Sequence, residues 1–232
     1  MKLAAVSAAV ASALLLGACG GSDGGNLLNP ASTPDSSSSA PADTEPSAAP
    51  DGPATPDTGS GSSGSSGGAK INVPAPSNGK AYTDPQSGYR MTINKRWVTY
   101  TGKDVPKGTE VWMIDAPDGD YRPNLNVTTE DLTGAAVGIS METYLRLSVQ
   151  NLAKIGFKIV RQTTATSPDG QELGVVEYTG DPSGLTPDRH SLALLSLGQT
   201  KAAVVTMAAK EKTFKQHRKA ALPYMVTVTA LG

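Results

Sequence analysis

Few side chains in this 232-residue sequence have a type and spacing that could do chemistry. Ser140, in Gly138-Ile139-Ser140-Met141-Glu142, has the outline of a serine nucleophile on a strained turn. That turn needs glycine where Glu142 stands. The same serine precedes a helical run and reads as its amino-terminal cap. Asp188-Arg189-His190-Ser191 holds an acid, a base and a hydroxyl within four residues. Neighbours on a strand point to opposite faces, so this set cannot converge on one substrate atom. Metal chemistry is no better served. His190 and His217 are far apart, and Asp115-x-x-Asp118-x-Asp120 lacks the glycine and closing glutamate of a calcium loop. No glycine-rich phosphate loop follows a strand. The residues predict no catalytic site, no cofactor and no metal. The alternative is an extracytoplasmic hydrolase or transferase whose residues converge from separate strands.

The reactive group that does stand out is Cys19, the sole cysteine. After Met1-Lys2, the run Leu3 to Leu16 carries no charge, and Gly17-Ala18 precede the thiol. The run falls short of the ~20 apolar residues that a spanning helix needs, so it reads as a secretory signal over residues 1–18. Leu16-Gly17-Ala18-Cys19 resembles the bacterial lipobox. That resemblance implies cleavage between Ala18 and Cys19, with lipid on the cysteine. One buried acyl chain at ~0.8 kcal/mol per methylene holds only reversibly, and two or more hold firmly. The expected location is the outer side of the cell membrane, with the chain fixed to it through Cys19.

Two further groups could form a contact surface. Lys212, Lys215 and Lys219 share one side of a helix near the end of the sequence, with Lys210 and Arg218 nearby. Such a face is either solvated or drawn to an acidic surface, at ~1 kcal/mol per residue near anionic headgroups. Trp97, Tyr100, Trp112 and Tyr121 gather where strands meet loops. They either fill the core or, if exposed, form a binding patch.

Composition divides the chain. Hydrophobic content of 38% and aromatic content of 5% average two different halves. Residues 19–79 are Ser, Pro, Gly, Ala, Thr and Asp, with Leu27, Leu28, Ile71 and Val73 nearly the only large aliphatics. That stretch cannot bury enough apolar surface to offset ordering and is predicted to be a disordered tether. A flexible chain of about 60 residues spans roughly 40 to 50 Å. From Lys80 to the end, 18 Lys/Arg face 15 Asp/Glu, against a net charge of −1 for the whole. Neither sign is strong enough to argue for nucleic acid. With one thiol there is no disulfide, so the domain over 80–232 must hold by packing, which ~150 residues allow. Nothing in the residues sets the oligomeric state.

Strands are predicted at Tyr82, Tyr89–Ile93, Trp97–Tyr100, Val111–Asp115 and Asn124–Glu130, from alternation and turn residues. Met141, Tyr144, Leu145, Val149, Leu152 and Ile155 keep helical spacing between Ser140 and Gly156. Phe157–Thr166 and Gln171–Thr179 form a hairpin through Ser167-Pro168-Asp169-Gly170, and Arg189–Leu197 with Lys201–Ala208 form another. Glu211–Leu222 reads as a helix that Pro223 should stop, and the last ten residues fit helix or strand. The expected class is α+β, an antiparallel sheet flanked by helices, with sequential strands as neighbours.

Tyr82-Thr83-Asp84-Pro85-x-x-Gly88-Tyr89, a strand, a turn and Trp97 resemble the opening of Mog1/PsbP-like domains. The later order of helix, two hairpins and closing helix fits as well. With the lipobox and tether, the chain resembles the LpqN/LpqT-type lipoproteins of mycobacteria and their relatives. Asn94-Lys95-Arg96 departs from the Pro-x-Gly that often stands before the tryptophan. The resemblance implies an α/β/α sandwich over 80–232 and a non-enzymatic role. It also implies that envelope proteins or apolar envelope lipids are the partners, in support of envelope biogenesis.

Overall fold

In the computed structural model, residues 68–102, 105, 109–114, 121–182, 184 and 188–232 are described. Cys19, the signal, most of the tether and the Asp115–Asp120 loop lie outside them. Chain order is β1 (Ala69–Lys70), β2 (Gly79–Asp84), β3 (Tyr89–Asn94), β4 (Val98–Tyr100), β5 (Thr109–Met113) and β6 (Asn124–Asp131). Then come α1 (Met141–Lys154), β7 (Lys158–Thr166), β8 (Glu172–Thr179), β9 (Arg189–Leu197), β10 (Lys201–Lys210), α2 (Glu211–Met225) and β11 (Thr229–Ala230). The fold class is α+β, an antiparallel sheet flanked by helices.

Local chemistry explains most of these elements. In β3 the alternation buries Tyr89, Met91 and Ile93 on one face. Ser140 accepts a hydrogen bond through Oγ from the Thr143 amide at 3.3 Å, which caps α1. Gly156, at φ 97°, takes the left-handed step that ends it. Gly170, at φ 94°, does the same in the β7–β8 turn.

The larger sheet has eight strands in the order β1-β7-β8-β9-β10-β6-β5-β4, and the smaller has three, β11-β3-β2. Sequential strands pair within β7 to β10 and within β4 to β6, as short links require. Three joins are not sequential: β1 pairs parallel with β7, β10 pairs antiparallel with β6, and β11 pairs antiparallel with β3, which with β2 makes the smaller sheet. Val111–Met113 thus lies in the strand next to an edge, paired with β4 on one side and β6 on the other.

Each face of the main sheet has its own core. On one side Met141, Tyr144, Leu145 and Leu152 of α1 pack on Val176, Tyr178, Ala193, Leu195 and Val204. On the other, Phe214, Ala221 and Met225 of α2 join Tyr89, Met91 and Ile93 of the small sheet over Leu125, Val127, Leu194, Val205 and Met207. The central strands therefore read as buried on both faces, which removes the alternation that their sequence suggests.

Two boundaries differ from the sequence reading. β1 lies within 69–79, the stretch whose composition reads as tether. It pairs parallel with the end of β7, the Ile71 amide donates to the Thr166 carbonyl at 2.8 Å, and Ile71 and Val73 pack on the core. Those two aliphatics are what draw this stretch onto the domain. α2 continues through Pro223 to Met225. A proline there removes the donor for the Lys219 carbonyl, but Lys219 stands on the exposed side, where water accepts the loss. Tyr224 and Met225 are buried and hold the last turn, and β11 follows at Thr229.

Candidate functional site

The face of the main sheet that carries α1 is aliphatic over most of its area and polar at one end. Register shows how. Asn126 stands opposite Thr206, and Asn124 opposite Ala208. Thr206 is followed across the sheet by Ala193, and Ala208 by Ser191. Ser191 in turn faces Tyr178. Two adjacent rows across β6, β10, β9 and β8 thus bring Asn124, Asn126, Thr206, Ser191 and Tyr178 together over small residues. All five are almost wholly buried, as are Arg189 and Tyr121 beside them.

Some of these groups are satisfied. Asn124 donates through Nδ2 to the Tyr121 hydroxyl at 3.3 Å and to the Arg122 carbonyl at 3.2 Å. Arg189 donates through Nε to Ser191 Oγ at 3.2 Å, and its guanidinium carbon lies 5.7 Å from the centre of the Phe157 ring. Others are not. Asn124 Oδ1, both polar atoms of the Asn126 amide, Thr206 Oγ1 and the Tyr178 hydroxyl are buried without a hydrogen-bond partner. Tyr178 lies beside Ser191, Thr206 and Arg189, with none at bonding geometry. Burial raises the Tyr178 phenol and pushes that of Tyr121 up to about 12, so both stay protonated donors. The same strands carry Leu125, Val127, Leu192, Leu194, Val205 and Met207 on their other face. On the α1 side, the buried polar residues are therefore gathered at one end of the sheet.

A second constellation forms on the α2 side. His190 meets Glu177 through Nε2 at 2.9 Å and Glu211 through Nδ1 at 2.6 Å. Its ring lies parallel to Phe214, centroids 3.6 Å apart, and Arg218 donates to Glu177 at 3.4 Å. Only an imidazolium can donate to both carboxylates at once. Both ring nitrogens are thereby engaged, and the arrangement clamps the first turns of α2 to β8 and β9. Ser191 lies on the opposite face, so the Asp188-Arg189-His190-Ser191 run is split as adjacent strand positions must be.

The sequence singled out other residues, and the fold sorts them. Ser140 is a cap. Trp112 and Tyr121 are buried, Trp112 within the α2-side core, and are therefore withdrawn from any contact patch. Trp97 is half-buried against Tyr224, ring centroids 4.8 Å apart. Lys212, Lys215 and Lys219 lie on the exposed side of α2, opposite buried Phe214, His217 and Ala221. Cys19 and Ala18 fall outside the described residues. Among those residues, no group of three His, Cys, Asp or Glu is placed to hold a metal, and no helix is long and apolar enough to cross a membrane. The polar patch went unread in the sequence, although Asn124 and Asn126 at every second position of a Leu/Val strand were a usable sign. Asparagine is a poor strand former and needs a reason to be there.

No protein-family model matches the chain, and no curated protein does. Among solved structures it is similar to cyanobacterial PsbP from Synechocystis sp. PCC 6803, with 19% identity, 66% of this chain and 92% of that chain covered, and a TM-score of 0.45. It is similar to the protein Mog1 at 10% identity, covering 65% and 91%, with a TM-score of 0.42. LpqN of Mycobacterium tuberculosis, described as involved in cell envelope biogenesis, is 15% identical, with 73% and 88% covered and a TM-score of 0.31. Likenesses this loose leave the fold to be read from its own strands.

Proposed function

We propose that the chain is a non-enzymatic, lipid-anchored lipoprotein of the bacterial cell envelope. Its globular domain binds envelope proteins or apolar envelope lipids in support of envelope biogenesis. The surface it offers to a protein partner is the outer side of α2. The observation that carries this reading is the division of that helix. Phe214, His217 and Ala221 turn inward, while Lys212, Lys215 and Lys219 are exposed along the opposite side. A row of cations on a rigid helix favours an acidic protein surface and speeds encounter with it. The lipobox-like Leu16-Gly17-Ala18-Cys19 supports the anchor and the location, and the length of the tether supports a search above the headgroups.

The test is photocrosslinking in living cells, with the crosslinker placed at Lys215, at Lys219, or at exposed Arg161 of β7 as the control. The reading expects envelope proteins captured from the two α2 positions and not from Arg161, with loss of capture when Cys19→Ala is added. Equal capture from Arg161 would remove α2 as the surface. An unchanged partner set in Cys19→Ala would mean that anchoring does not select the partner. Reproducible turnover by the purified protein would remove the non-enzymatic reading.

A further inference from the structure

The turn that leads into β2 presents a peptide bond open to attack by its own neighbour. Asn78-Gly79 is the one place in the sequence where glycine follows asparagine. Asn78 is exposed and, at φ 57°, is the only non-glycine residue with positive φ among the described residues. Its carbonyl accepts from the Lys95 amide at 3.1 Å, so Gly79 and Asn94 form the non-hydrogen-bonded kind of antiparallel pair. The Gly79 amide therefore points away from β3, toward the outer edge of β2, which is the end strand of its sheet. No ladder bond holds that nitrogen, and Gly79 has no side chain to shield it.

We propose that Asn78 is a site of spontaneous deamidation, with water as the only co-reactant. Hydroxide takes the Gly79 amide proton, and the nitrogen attacks Asn78 Cγ. The Cγ–Nδ2 bond breaks, and Nδ2 leaves as ammonia after taking a proton from water. Water then opens the five-membered imide at either carbonyl. Opening at Cγ gives aspartate. Opening at the former backbone carbonyl gives isoaspartate, whose main chain runs through the side chain. Nothing is oxidised or reduced. Asn78 must leave its left-handed conformation to react, and its side chain is restrained by one exposed hydrogen bond, from Nδ2 to Asn94 Oδ1 at 3.2 Å.

The change loosens the turn between β3 and β4. Asn94 Oδ1 accepts from Asn78 and from the Arg96 amide at 2.9 Å, while Asn94 Nδ2 donates to the Tyr224 hydroxyl at 2.8 Å. Tyr224 in turn donates to the Ser77 carbonyl. A carboxylate at position 78 meets Asn94 Oδ1 with no proton to give. Asn94 cannot turn its amide over without losing its bonds to Arg96 and Tyr224 together. The turn that exposes Lys95 and Arg96 thus loses its brace from the β2 side. This assignment is independent of the outer face of α2 and of the anchor, so either can fail without the other.

The experiment ages the full chain, purified in detergent, at neutral and at mildly alkaline pH. Peptide mass mapping follows the conversion of each asparagine amide to acid. Asn78 should convert about tenfold faster than Asn94, because the amide after Asn94 is hydrogen-bonded and that bond must break first. The rate should rise with hydroxide. Fresh and aged fractions, separated by charge, are then exposed briefly to trypsin. Cleavage after Lys95 or Arg96 should be about tenfold faster in the aged fraction, the effect of one lost hydrogen bond on local opening. Asn78→Asp should also speed it. Conversion at Asn78 no faster than at Asn94, or a rate indifferent to pH, overturns the site. Cleavage that neither ageing nor Asn78→Asp speeds overturns the link to the turn.

Discussion

Glu177 is the residue on which the α2 clamp turns, and removing its charge separates two contacts of different strength. Its side chain is 12% exposed and that of His190 is 8%, so their 2.9 Å contact is shielded from water. Arg218 reaches the same carboxylate at 3.4 Å but is 37% exposed. A hydrogen bond involving a charged group contributes roughly 1.5–3 kcal/mol when shielded, whereas a solvated ion pair contributes about 0–1 kcal/mol. Glu177→Gln keeps the shape and one acceptor. It should therefore lower unfolding free energy by about 2 kcal/mol, nearly all of it through His190. For a domain of this size that is a fall of roughly 4–8 °C in Tm. Arg218→Met should lose less than ~1 kcal/mol, and more of that loss should vanish at high salt than for Glu177→Gln. Urea unfolding of the two single variants and the double, at low and high salt, reads all of this. The reasoning is refuted if Arg218→Met costs as much as Glu177→Gln, or if Glu177→Gln costs nothing.

Three further perturbations test other parts of the structure. Ser140→Ala should cost about 1 kcal/mol and Ser140→Gly only a few tenths, measured by urea unfolding, because the serine caps α1 through the Thr143 amide. Gly174→Ala puts a methyl group 3.0 Å from Met141 Sδ and 3.3 Å from Leu195 Cβ, so it should overpack the α1 interface by about 1–3 kcal/mol and lower Tm. Burial raises the Glu130 carboxyl above its ordinary range, against the opposing hydrogen bond from Tyr144. Folding thus favours its protonated form. The stability this contributes is full below the ordinary carboxylate range and lost as pH rises through the raised value. Glu130→Gln cannot ionise. Its Tm should exceed the parent's at neutral pH, and the gap should close as the pH is taken below the carboxylate range.

Local chemistry made most elements legible in the sequence. Ser140 and Gly156 bracket α1, Ser167-Pro168-Asp169-Gly170 turns β7 into β8, and the Phe214–Ala221 spacing sets the inward side of α2. These are signals within a few residues of one another, so neighbouring atoms suffice to decide them. The stop at Pro223 misled for the same reason. A rule about local hydrogen bonds could not weigh the burial of Tyr224 and Met225 that carries the helix past it.

What the sequence by itself determined was therefore the order of strands and helices from β2 to α2, the side each helix turns inward, and the α+β class. Tertiary structure alone decided that β10 pairs with β6 and that β3 departs to a second sheet. The first of those choices brings Asn126 against Thr206 and Asn124 against Ala208, whereas Glu177 and Glu211 reach His190 through the sequential pairing of β8, β9 and β10. The physical reason is that strand periodicity records which face is buried, not which distant strand lies alongside. Pairing is settled by whichever arrangement covers both faces of the sheet at once, a property of the whole chain.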